Sequence, residues 1–290
     1  MALNNFIPTV WSARLLINLN KVLRFAQPGV VNRDYEGDIT GYGSSVKINS
    51  IGRVTVGDYT KNTDMAPPET LTDGQTTLTI TQSKAFNFQI DDVDKAQQKP
   101  KVMDAAMREA AYALNNTIDQ YIAGLYTDAQ SGNLIGDDTT PKVVGTGGSD
   151  ANAYSLIVDA KTILDLANVP DDGNRWIVLP PWYEALMLKD DRFVKFGTVP
   201  QNDRLLNGQI RQVAGFSVLV SNNVSNTTDT KYKVMFGHPM AISLALQINS
   251  VEAYRPEKRF ADAVKGLALY GAKVARPDAV GVLTASKGTL

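Results

Sequence analysis

The sequence predicts an α+β fold, and three observations predict it. Apolar residues alternate with polar ones in short runs between Val46 and Ile90, and they recur every three or four positions from Met103 to Leu125. Beyond residue 150, short apolar runs alternate with amphipathic stretches. The first pattern suits half-buried strands, the second a helix with one face on a core, and the third a mixed region of strands and helices.

The totals bound what such a chain can do. At 290 residues it can form one large domain or two modest ones, and 43% hydrophobic with 20% charged residues suits a folded rather than a disordered chain. No run approaches the roughly 18 apolar residues of a membrane span. The start, MALNNFIPTVWSARLL, lacks a basic stretch followed by an unbroken apolar one, so no cleaved signal is expected. The absence of cysteine removes disulfides, thiolate nucleophiles and cysteine metal sites, and the single histidine, His238, removes a histidine-rich metal centre. A net charge of −1, from 29 basic and 30 acidic residues, gives no global attraction for phosphate backbones.

In chain order, Trp11, Leu15, Leu19 and Leu23 fall four apart and predict a short amphipathic helix over 9–25, stopped by Gln27-Pro28-Gly29. Cut off by that break, it reads as an arm. Strands follow at Val46 and Ile48, Val54 and Val56, Leu78 and Ile80, and Phe86, Phe88 and Ile90. The polar stretch 58–75 between the two sets, DYTKNTDMAPPETLTDGQ, reads as the tip of a long hairpin. From Pro100 the spacing predicts a helix of about 27 residues, a rod of roughly 40 Å. The Gly/Ser/Thr-rich 145–150 reads as a flexible linker and a boundary. After it come a helix with Ile157, Ala160, Leu164 and Ala167 on one face, the strand RWIVLP, a helix opened by Pro181, and strands in QVAGFSVLVS and YKVMF. Past AISLALQI, two strand-like runs meet at Arg276-Pro277.

Chemical candidates are few. His238 lies in a Gly-His-Pro turn with no Gly-x-Ser-x-Gly motif in the chain and no partner base near it in sequence, so it reads as a turn residue. The pairs Asp91-Asp92, Asp137-Asp138, Asp171-Asp172 and Asp190-Asp191 sit at predicted element boundaries, where carboxylates cap turns and helices, and Asp92-Val-Asp94 is the nearest approach to a hard-metal or hydrolytic pattern. Gly145 to Gly148 lacks the residues of a phosphate loop. Trp11, Trp176 and Trp182 suit packing better than base stacking. Arg255, Glu257, Lys258, Arg259 and Asp262 form a mixed-sign cluster that is either a solvated turn or an ion-paired contact across a subunit boundary.

The order of parts, together with FIPTVWSARLL, NRWIVLPPWYEALMLKDDRF, GQIRQVAGFSVLVSNNV and FGHPMAISLALQ leading to EAYRPEKRFADAVKGLALYGAKVARPDAV, resembles the tailed-phage major capsid proteins of the Hong Kong 97 fold. The resemblance covers nearly the whole chain and is most specific in its last stretch. It implies an N-terminal arm over 1–40, an extended β-hairpin loop over 41–95, a peripheral domain with a spine helix over 96–149, an axial domain over 150–255, and return strands of the peripheral domain over 256–290. It also implies a coat protein that self-assembles through hexamers and pentamers into an icosahedral shell around double-stranded DNA, with no enzyme activity and no cofactor. A scaffold is expected to be a separate protein, because nothing before Met1 leaves room for a fused assembly domain. Portal and decoration proteins are further expected partners, and the product belongs in the virion after synthesis in the host cytoplasm. Candidate inter-subunit contacts are Trp11 and Arg14 on the arm, Arg53, Asp58, Lys61 and Glu69 on the loop, and Arg255, Glu257, Lys258 and Arg259 before the last strands. An encapsulin-like compartment shell resembles the same fold, and a hydrolase built on Asp92 and Asp94 is the reading from another class.

Overall fold

The computed structural model describes residues 24–35, 43–51, 73–91, 102–148, 150–190 and 210–289, with isolated positions between 56 and 70. The predicted helix over 9–25 lies almost wholly outside them.

One part is built on a three-stranded antiparallel sheet in the order β11 (Ile242–Tyr254), β12 (Ala261–Val274), β3 (Gln82–Asp91). Its two faces bury different partners, as the two-residue period of a strand requires. On β12, Val264 and Ala268 face α1 (Val102–Ala123), whose Met107, Ala111 and Leu114 recur every three or four residues. Leu269 faces the opposite way and, with Ala245, covers Leu78 and Ile80 at the base of a separate two-stranded hairpin, β1 (Ser45–Ile51) with β2 (Asp73–Thr79). At about 1.5 Å per residue, the 22 residues of α1 make a rod of about 33 Å, somewhat shorter than the spacing predicts. The missing length is a tighter 3-10 turn over Gly124–Asp128.

Two glycines in β12 are steric requirements. A methyl group on Gly266 would land on the ring of Phe86, its neighbour across the sheet, and one on Gly271 would strike the backbone of Thr79 and Ile80 where the hairpin crosses the sheet.

The other part is an eight-stranded mixed sheet. Its path runs β4 (Leu134–Ile135), β13 (Val280–Lys287), β10 (Lys231–Gly237), β6 (Trp176–Leu179), β8 (Phe216–Val220), β7 (Gln212–Val213), with β5 (Lys142–Val144) on β13 and β9 (Asn226–Thr227) on β10. Two helices pack on it. In α2 (Ala153–Leu166), Asn152 caps the first turn by accepting from the backbone N–H groups of Tyr154 and Ser155 at 3.0 and 3.1 Å. In α3 (Pro181–Leu188), Pro181 stands at the first helical position, where no N–H is needed. Leu156, Ile157, Ala160 and Leu164 of α2 and Tyr183, Leu186 and Met187 of α3 join Trp176 to Leu179, Val234 to Phe236 and Val280 to Leu283 in the largest core. Each such side chain contributes on the order of 1.5–3 kcal/mol when fully covered. The Tyr183 hydroxyl donates to Ala153 O at 2.9 Å, and burial pushes the phenol well above its usual range.

The chain passes between the two sheets at a stitched seam. Leaving β10 it makes a 3-10 turn at Pro239–Ala241, and returning from β12 it makes another at Pro277–Ala279. The N–H of His238 donates to Ala279 O at 3.1 Å and that of Ala275 to Ala241 O at 2.8 Å. Since β10 pairs directly with β13, the β11–β12 hairpin is an insertion between two neighbouring strands.

Three expectations change. Phe86 to Ile90 belongs to β3 and pairs with β12, not within the hairpin that ends at β2. The two final runs meet at Arg276-Pro277 as β12 and β13, but VEAY is not part of the first: AISLALQINSVEAY, residues 241–254, runs on into β11, with a register shift between Ile248 and Ser250 at Asn249. The glycine-rich 145–150 is a clamp, not a flexible linker: Thr146 N–H donates to Thr289 O at 2.9 Å, and Gly147 and Thr289 N–H groups both donate to Asp150 Oδ2 at 3.1 Å. Side chains at Gly145, Gly147 or Gly288 would collide with that carboxylate.

One turn carries strain. Thr228 and Asp229 have φ of 56° and 55°, in the left-handed region that a β-branched residue resists. Replacing the pair by Asn-Gly is expected to raise stability by about 1 kcal/mol, read as a shift of the urea midpoint without a change of slope.

Candidate assembly surfaces

Among the described residues no group of three or more potential metal ligands comes together, and no helix is long and apolar enough to cross a membrane. His238, whose sequence neighbours offer no partner, nevertheless has one. Its Nε2 lies 3.2 Å from Asp172 Oδ1, while Nδ1 accepts from the Met240 N–H at 3.3 Å. The pairing follows from register: Gly237 is opposite Trp176, so residues just after β10 meet those just before β6. With one ring nitrogen on a carboxylate and the other on a backbone amide, neither is left for a substrate proton. The dyad closes the seam.

Asp172 also accepts from Asn174, by side chain at 2.9 Å and backbone at 3.1 Å. These bonds, the Asn174 amide first and then His238, hold its carboxyl at about 2. Because this lies below the unfolded value, the contribution to stability is complete above about pH 4 and is lost as the pH falls through about 2. Asp172→Ala should therefore lower the thermal midpoint at pH 5 to 7, with the difference from wild type shrinking between pH 4 and 2.

The other carboxylates serve structure. Asp137 accepts from the Thr140 N–H, from the Thr140 hydroxyl at 3.0 Å and from the Thr139 N–H at 2.8 Å, which together lower its pKa. Asp138 takes the buried Lys233 ammonium at 2.7 Å. Asp92 and Asp94 lie outside the described residues. Trp176 is buried in the main core, and Trp182 packs against Tyr183 and Tyr232.

Of the candidate contact residues, Trp11, Arg14, Arg53 and Glu69 lie outside the described residues. Asp58 and Lys61 are exposed between β1 and β2. Arg255, Glu257, Lys258 and Arg259 are exposed at the far end of the β11–β12 hairpin, where Arg255 Nε meets Asp262 Oδ1 at 3.2 Å. Beside them Phe260 is 83% exposed, and Val56 in the other loop is 92% exposed. Phe260 at the β11–β12 tip and Val56 beyond β1 are thus, with Leu166 at the end of α2, the most exposed large apolar side chains among the described residues.

A third feature has no counterpart in the sequence reading. Asp119, on the core-facing side of α1 and only 4% exposed, accepts at Oδ1 from the N–H groups of Arg24 and Phe25 at 3.1 and 2.9 Å, and at Oδ2 from Asn223 Nδ2 at 3.3 Å. Phe25, Ala26, Val30 and Val31 are buried beside it, and Asn32 bridges to β11 through Ile242 O and the Leu244 N–H. A lone carboxylate between Ile118 and Ile122 was the available signal.

No curated protein matches the sequence. Among solved structures, a chain from Mycobacterium phage Che8 is 29% identical, with 97% of this chain and 98% of that one covered at a TM-score of 0.68. The capsid of cyanophage P-SCSP1u aligns at 16% identity over 86% and 85% of the two chains with a TM-score of 0.65. That of Ralstonia phage GP4 aligns at 12% over 92% and 89%, also at 0.65. These likenesses agree with the Hong Kong 97-type α+β fold. Residues 74–284 match the family described as phage capsid protein, which spans both sheets, the spine-like α1 and the seam. The chain belongs to the phage capsid protein family and is a major capsid protein of a phage shell.

Proposed function

We propose that copies of this chain associate as hexamers and pentamers into an icosahedral shell around double-stranded DNA, and that the subunit performs no catalysis. The observation that carries the reading is a pair of exposed apolar side chains, Phe260 with its charged neighbours and Val56 beyond β1, on strands whose other ends are well buried. Apolar surface left uncovered by one subunit gains free energy on a neighbour. Contacts between different surfaces of successive copies are heterologous, so they close into rings and, set at angles, into shells. The candidate residues on the arm, the loop and the tip are the inter-subunit contacts of this reading, with the charged ones fixing register.

In this reading the arm, extended loop, peripheral and axial units follow in the order expected from the sequence. Sheet pairing supports three adjustments: β3 and β11 go with the peripheral unit, and β13 goes with the axial one. A separate scaffold, a portal and decoration proteins complete the assembly, which takes place in the host cytoplasm. The near-neutral balance of charge suits a container that holds DNA without gripping it.

Expression of the chain alone and with its scaffold, followed by electron microscopy, tests the proposal. Closed particles are expected. A monodisperse monomer under every condition would overturn it.

A further inference from the structure

We propose that Asp119 is an ionisable anchor for the N-terminal segment, its charge setting how firmly residues 24–31 sit in the subunit. The carboxylate joins three parts of the chain: α1, the segment that begins at Arg24, and the loop after β8, which is itself tied to α1 by the Ser225 hydroxyl donating to Ala123 O at 2.9 Å.

The groups around it are neutral donors. On the segment 24–31 the only ionisable residue is Arg24, and it is exposed. The loop 221–225 contributes Ser221, Asn223 and no ionisable side chain. Within a turn on α1 the only ionisable neighbour is Tyr121, whose ring packs edge-on against Tyr270 at 5.3 Å, and Asn115 is buried and uncharged. A carboxylate in such a place keeps its hydrogen bonds but, among the described residues, has no cation to offset its burial.

Protonation keeps the two backbone bonds and exchanges the third. Oδ1 still accepts from the two backbone N–H groups, and an Oδ2–H can donate to the Asn223 amide once it turns its oxygen inward. Burial raises the carboxyl above its ordinary value, against the smaller opposing pull of the bonds from Phe25, Asn223 and Arg24. The seated form therefore binds a proton more tightly than the unseated one. Its grip is firmest below about pH 4, weakens as the pH rises towards the raised value, and is constant beyond it.

Hydrogen exchange of the full-length chain between pH 4 and 8, corrected for intrinsic rates, reads the grip on peptides spanning 24–31, with β10 peptides as the internal control. In the wild type, protection over 24–31 should fall with rising pH by about tenfold for each unit the pKa is raised, while β10 stays level. Asp119→Asn, which keeps an acceptor and removes the charge, should hold the acid level of protection throughout, and Asp119→Ala should be loose at every pH. A flat wild-type profile, a variant Asp119→Asn that follows the wild type, or one as loose as Asp119→Ala overturns the proposal. Should Asp119→Ala fail to fold, the comparison of wild type with Asp119→Asn decides alone. None of these readings depends on shell formation, so the anchor and the assembly reading fail separately.

Discussion

Replacing Arg175 by alanine is expected to destabilise the subunit by about 3–5 kcal/mol, a large share of the ~5–15 kcal/mol of a typical fold. The guanidinium is 1% exposed and each of its three nitrogens donates: Nε to Pro170 O at 3.0 Å, Nη1 to Asp165 Oδ1 at 2.6 Å and Nη2 to Val169 O at 2.6 Å. Val169 and Pro170 lie on the connection from α2 to β6 and Asp165 on the last turn of α2, so one side chain fixes how the helix returns to the sheet. Alanine leaves a cavity and strips the buried Val169 carbonyl of its donor, a penalty larger than the net gain of the bond itself. Lysine should recover less than half of the loss, because a point charge cannot reach three separated acceptors as a planar fork does. Urea denaturation followed by tryptophan fluorescence would measure both, and a loss under 1 kcal/mol for the alanine variant would contradict this account.

Deleting residues 60–72 should leave a subunit that folds and a shell that does not form. The seven pairs from Ser45↔Thr79 to Ile51↔Asp73 remain, and so does the seat of Leu78 and Ile80 on Ala245 and Leu269. Circular dichroism and the thermal midpoint should therefore stay close to those of the full chain. Lys61, Asn62 and Asp64, among the described residues removed, are exposed, so the loss should be confined to assembly and approach completeness, seen as soluble capsomers or monomers by sedimentation. Normal shells from the deletion would remove the loop from the contacts that build the particle. A deletion that failed to fold would show that the loop supports its own subunit.

What the sequence revealed and what it hid divide along the range of the interactions. The helices over 102–123, 153–166 and 181–188 and the strands at 176–179, 216–220 and 231–237 follow from patterns a few residues long, together with a capping Asn152 and a first-turn Pro181. The alternation of β3 is equally local, but its partner is set by packing against α1 and by Gly266 receiving the ring of Phe86, which no period announces. Asn249-Ser250 reads as a break because a bulge and a turn use the same residues; only the continuous pairing of β11 with β12 distinguishes them. The glycines at 145 and 147 read as freedom, whereas they are small because Asp150 and Thr289 fill the space beside them. His238 and Asp172, 66 positions apart, meet only through the register of β6 on β10. The candidate contacts are a different matter: their exposure at the β11–β12 tip is visible in one subunit, but their partners belong to other copies.

The insertion of β11 and β12 between β10 and β13 has a mechanical consequence. Both strands of the arm enter the eight-stranded sheet side by side, at residues 237–242 and 274–280, so a load on the tip arrives at one place through two connections. Thirteen residues of β11 at about 3.3 Å each give a lever of roughly 40 Å. A sideways displacement of the tip by 1 Å then corresponds to a rotation of only about 1.5° at the seam, where His238, Ala241, Ala275 and Ala279 are cross-bonded. Small differences of angle between neighbouring copies then correspond to small rotations at this seam.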